Sequence, residues 1–103
     1  MTDQKTAKLC ADMLQAIAEP NRIRIIECLR TRSMNVTELA KALGVEIVNV
    51  SHHLGVLRTA GLVQDEKQGR FVLYSLHPKI FNNDDNKATY LDLGWCRVEI
   101  PHS

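Results

Sequence analysis

The sequence predicts a mainly α fold that carries one β-hairpin and ends in an extended segment. Three observations lead there. Apolar residues recur at helical spacing through most of the first sixty residues, and a run of β-formers broken by Gly69 follows. The last stretch, 88–100, is apolar but holds Gly94 and lacks helical periodicity. At 103 residues, 45% of them hydrophobic and 24% charged, the chain fits a single core. The formal charge of +1 is too small to advertise a nucleic-acid partner by itself, so any such reading depends on where the charges sit.

The first helix is expected over Lys5–Ala18, with Leu9, Met13, Ala16 and Ile17 at helical spacing. Glu19-Pro20 breaks it, and Pro20 suits the first turn of a second helix reaching about Arg30. The buried stripe of that helix is Ile25, Ile26 and Leu29, with Ile23 and Cys28 at its margins. Arg22 and Arg24 lie in its first turn, where the helix dipole disfavours positive charge, so one of them should have a partner elsewhere. After a loop over Thr31–Met34, Asn35 and Glu38 stand at capping-box spacing before Leu39, Ala40 and Leu43, and Gly44 ends this short third helix. A fourth helix over Glu46–Thr59 buries Val50, Leu54 and Leu57 and closes at Ala60-Gly61. Two short helices joined by a tight turn form a helix-turn-helix. The runs Leu62–Asp65 and Arg70–Leu76, flanking Glu66-Lys67-Gln68-Gly69, then form a hairpin, which in that position is a wing. The expected architecture is therefore a winged helix-turn-helix over residues 1–78. Residues 79–103 form a C-terminal tail, polar and loop-like over Lys79–Lys87 and β over Tyr90–Ile100.

The stretch Ile17-Ala18-Glu19-Pro20-Asn21-Arg22-Ile23-Arg24-Ile25-Ile26 resembles the opening of the ArsR-type (SmtB/ArsR) bacterial regulators. The segments Val36–Ala40, Val50–Leu54, Val56–Val63 and Gly69–Leu76 continue the resemblance in register, which covers residues 9–78 without a gap. It implies a homodimeric winged-helix repressor of double-stranded operator DNA, with the first helix in the dimer interface. It also implies release of DNA on binding a metal ion or on thiol chemistry. Beyond Pro78 the chain departs from the family, whose members commonly end in a long pairing helix; here an extended segment stands in its place.

On the fourth helix a 100° step puts Val48, Asn49, His52 and Gly55 opposite the core face, with Ser51 and His53 flanking. The N-terminal half of this helix is the part that enters the major groove. Asn49 can pair bidentately with adenine, and Ser51, His52 or His53 can reach phosphate or base edges. Ile47 and Val48 stand where the family usually carries polar residues, which shifts readout towards thymine methyl groups. Lys67 and Arg70 at the wing, Lys41 and Arg58 are phosphate candidates, the wing being weakened by Asp65 and Glu66 beside it.

The adjacent His52-His53 pair cannot ligate one ion, because helix neighbours point about 100° apart. The cysteine pair of many family members falls on Asn35 and Thr37, which excludes a soft-metal site there. Cys10 and Cys96 remain as sensor candidates for a soft metal ion or a thiol oxidant, weighed against plain packing; no cofactor is required. Leu9, Met13, Trp95 and Val98 are the expected dimer-interface residues. Three widely spaced cysteines suit a cytoplasmic protein with reduced thiols, and no run is apolar enough for a signal peptide or a membrane span. No nucleophile–base pair, phosphate loop or carboxylate pair suggests an enzyme. The competing reading is a winged-helix protein-interaction module that does not bind DNA, which the near-neutral charge and Ile47-Val48 favour.

Overall fold

A computed structural model describes residues 3–78, 81–83, 89–92 and 97–100, with side chains over residues 3–78 and at Phe81. The element order is α1 (Gln4–Ile17), α2 (Pro20–Leu29), α3 (Val36–Leu43), α4 (Ile47–Thr59), β1 (Val63–Gln68), β2 (Phe71–Leu76), β3 (Phe81–Asn83), β4 (Thr89–Asp92) and β5 (Arg97–Ile100). The four helices start and stop within a residue of the boundaries read from the sequence, and several of their ends carry local capping chemistry. Asp3 caps α1 by accepting from the Thr6 N–H at 2.7 Å, and Glu19 caps α2 by accepting from the Arg22 N–H at 2.9 Å. Asn35 and Glu38 form the full reciprocal capping box of α3, at 2.8 and 3.0 Å. Gly44 ends α3 at φ +70°, a left-handed conformation that a side chain would strain.

Ile25, Ile26, Leu39, Val50, Leu54, Leu57 and Leu62 are fully buried and tie α2, α3, α4 and the start of β1 into one core. Spacing alone leaves the inner face of α1 open. Cys10, Ala16 and Ile17 are buried, whereas Leu9 is 55% and Leu14 39% exposed. A stripe read by spacing does not say which of two adjacent apolar residues faces the rest of the chain, and Cys10 takes the inner position.

The hairpin pairs Gln68 with Phe71, so the connecting turn is only Gly69-Arg70, with Gly69 at φ +62°. The wing is thus longer than expected: Glu66, Lys67 and Gln68 belong to the strand. Tyr74 and Leu76 pack on the core, while Phe71 and Val72 remain exposed. Met34, taken from the sequence as loop, pairs with Tyr74 through two backbone hydrogen bonds of 3.1 and 2.9 Å and pins the wing to the start of α3.

Past the wing the described residues 81–83, 89–92 and 97–100 form an antiparallel sheet of order β3-β4-β5. One correction falls here. Phe81–Asn83 is a strand and not loop, and Phe81 is buried in the main core. The polar run after Phe81 hid the strand, whose pairing with Leu91 lies ten residues further along. Trp95 and Cys96 lie outside the described residues, as does the Val98 side chain. Among the described residues no helix is long and apolar enough to cross a membrane.

Candidate nucleic-acid interface

The α3–Gly44–α4 unit is rigid because its inner surface is closed. Leu39, Ala40 and Leu43 of α3 meet Val50, Leu54 and Leu57 of α4 in the core, and the Gly44 N–H donates to the Ala40 carbonyl at 2.9 Å. With that face fixed, the opposite face of α4 must look outward. Ile47 and Val48 are 49% and 71% exposed, and Asn49, Ser51, His52 and Gly55 are exposed with them. Glu46 stands at the N-cap without a side-chain hydrogen bond to the first turn. The N-terminal end of α4 thus carries a protruding, mixed apolar and polar surface with the positive end of the helix dipole behind it. Ser51, His52 and Gly55 also line an open groove of about 710 Å³ between α4 and Asp12, Gln15 and Ala16 of α1.

His53 belongs elsewhere. Its side chain is only 13% exposed, its Nδ1 lies 3.2 Å from an Arg22 guanidinium nitrogen, and its Nε2 lies 3.7 Å from the Glu19 carboxylate. The sequence reading placed His53 on the flank of the recognition face, and the structure turns it towards α2. Arg22 is the hub of this contact. Its Nε also donates to the Ala16 carbonyl at 2.6 Å, satisfying an acceptor in the last turn of α1. This resolves the unfavourably placed arginine of α2: Arg22 tethers α1 and α4, while Arg24 stays exposed and reaches Asn21 at 3.2 Å. Sequence reasoning missed Arg22 and Glu19 as positioning residues for α4, although the dipole mismatch signalled that some partner was needed.

The basic residues divide into two groups. Arg58 forms an ion pair with Asp65 at 3.1 Å and lies about 16 Å along the helix from Ile47, so it is spent at the far end of α4. Lys41, Lys67 and Arg70 are exposed. Arg70 occupies the wing turn and Lys67 sits in β1 opposite Val72. Strand alternation puts Lys67 on the same face as Asp65, whose charge Arg58 already offsets, and puts Glu66 on the other. The acidic drag on the wing is therefore smaller than the sequence alone suggests.

No group of three histidine, cysteine or acidic side chains capable of holding a metal ion occurs among the described residues. The His52 and His53 rings are 5.7 Å apart and tilted by 54°, not convergent on one point. Cys10 is 7% exposed inside α1. Burial pushes the Cys28 thiol up, with Glu27 adding to the shift, so its nucleophilic thiolate is disfavoured.

Residues 19–65 match the bacterial regulatory protein, arsR family. The chain is 45% identical over 75 residues to the HTH-type transcriptional regulator NmtR of Mycobacterium tuberculosis, a stretch covering 73% of this chain and 62% of that protein. It thus spans less than two thirds of the length of that relative. The crystal structure of M. tuberculosis Rv0081 matches with a TM-score of 0.65 at 39% identity, covering 74% of this chain and 76% of that one. The solution structure of the homodimeric winged helix-turn-helix DNA-binding domain Mb0332 from Mycobacterium bovis matches with a TM-score of 0.69 at 26% identity, covering 77% and 75%.

Proposed function

We propose that this chain, which belongs to the ArsR family of bacterial regulatory proteins, binds double-stranded operator DNA as a homodimer and represses transcription. The observation that carries this reading is the outward N-terminal face of α4, held by a closed core and flanked by exposed Lys41, Lys67 and Arg70. In the complex, α4 enters the major groove with Asn49, Ser51 and His52 towards base edges, and the wing lies along phosphates. The exposed Leu9 and Leu14 of α1, with half-buried Met13 beside them, supply apolar surface for a second copy. The tail adds β-structure, Trp95 and Val98 to the same interface. A twofold dimer places its recognition helices on half-sites about 34–36 Å apart. Such a protein works where bacterial DNA lies.

Release of DNA by a soft metal ion or a thiol oxidant would draw on Cys10 and Cys96. Among the described residues no group of three histidine, cysteine or acidic side chains could hold a metal ion, and Cys10 is buried. A protein-interaction module is the second reading, favoured by the exposed Ile47-Val48 pair.

Fluorescence anisotropy with the duplex upstream of the protein's own gene, against a scrambled duplex of equal length, decides between them. Preference for the upstream duplex, lost on Asn49→Ala while binding to scrambled DNA persists, supports the operator reading. Equal, weak binding to both duplexes leaves the interaction module.

A further inference from the structure

Resting on the DNA-binding reading above, we propose that Val48, assisted by Ile47, reads the C5-methyl group of thymine in the major groove, so that each half-site is selected through A·T pairs and not through guanine. The outward face of α4 from Ile47 to Gly55 contains no arginine or lysine, the side chains that read guanine O6 and N7 bidentately. The one cation of the helix, Arg58, is bound to Asp65 at the opposite end. What this face offers instead is Asn49, which matches the N6 and N7 edge of adenine, beside two branched aliphatic side chains that are 71% and 49% exposed.

These exposed aliphatics contribute little to the fold. Neither joins the core cluster or the residues packed against it, and β-branched residues are indifferent helix formers. Among the base edges of the major groove the apolar group is the thymine methyl. Val48 suits that contact. Its χ1 is restricted by the helix, so docking against a methyl costs little side-chain freedom. It is also the immediate neighbour of Asn49, so a thymine methyl and an adenine edge within one or two base pairs satisfy both residues. The same geometry accepts 5-methylcytosine, which presents its methyl at the same place.

The test uses the full chain and a duplex selected by it from a random pool. That duplex is resynthesised with deoxyuridine for thymidine in both half-sites, which removes the methyl and keeps the base pairing. Covering one methyl is worth about fourfold in affinity, so loss from the two half-sites lowers binding roughly sixteenfold. Val48→Ala, a change at an exposed position, should show the same loss on the thymidine duplex and no further loss on the deoxyuridine duplex. Equal binding of the unmutated protein to both duplexes overturns the proposal while leaving DNA binding intact. So does a Val48→Ala protein that keeps the full thymidine preference. Failure to select any duplex from the pool overturns the DNA-binding reading itself, and this one with it.

Discussion

Replacing Arg22 by alanine tests how the recognition helix is held. The guanidinium donates to the Ala16 carbonyl at 2.6 Å and contacts His53 Nδ1 at 3.2 Å, so one side chain joins the end of α1 to the inner flank of α4. Hydrogen bonds from a charged donor contribute about 1.5–3 kcal/mol. Arg22 is only half-buried, so solvent screening brings each contact down to about 1 kcal/mol, the value of an ordinary hydrogen bond, and the two together amount to about 2 kcal/mol. For a domain of this size that corresponds to a fall in Tm of roughly 8–16 °C. Urea titration followed by circular dichroism should show the midpoint shifted with the m-value unchanged. Arg22→Lys keeps the charge but not the planar fork, and should recover only part of the loss. His53→Ala in the Arg22→Ala background should cost less than His53→Ala alone, because the shared contact is already gone. A loss under about 0.5 kcal/mol for Arg22→Ala, the size of a neutral surface change, refutes the tether.

Gly55 lies inside α4 with open space where a Cβ would sit, so Gly55→Ala should stabilise the fold by about 0.5–1 kcal/mol, read as a higher urea midpoint. The Glu38 carboxyl is held below its ordinary value first by the Asn35 N–H and then by Arg32. Its contribution is therefore complete above the ordinary value of 4.5 and is lost as pH falls through the lower folded value. Glu38→Gln, which preserves the cap, should flatten stability against pH in that acid window, and an unchanged profile contradicts the assignment. Lys67→Ala and Arg70→Ala should weaken DNA binding evenly across sequences and lower the salt slope by about two each, one phosphate per protomer; two mutants with unchanged affinity remove the wing from the interface.

The parts of the fold legible in the sequence are those fixed by local chemistry. The Asn35/Glu38 box, the Gly44 turn, the Ile25-Ile26-Leu29 stripe and the Val50-Leu54-Leu57 face each depend on residues within a few positions of one another. What escaped depends on distant partners. Met34 leaves the loop for a β-bridge only because Tyr74 is there, and Phe81 joins the core only because the core accepts its ring. The recognition face followed from helical geometry once the core face was known, which placed Asn49, Ser51 and His52 outward. His53 lies at the margin where a 100° step does not decide, and its fate is set by Arg22, thirty-one residues away. Arg58 likewise reads as a free cation until Asp65 of β1 is brought beside it.

The central claim is tested most directly by measuring affinity for a selected duplex across a range of salt concentrations, with the stoichiometry determined by ultracentrifugation. Each neutralised phosphate contributes about −0.9 to the slope of log affinity against log salt. Lys41, Lys67 and Arg70 from each of two protomers should then give a slope of about −5, with two protomers per duplex. A slope near zero, or one protomer per duplex at saturation, would contradict the account.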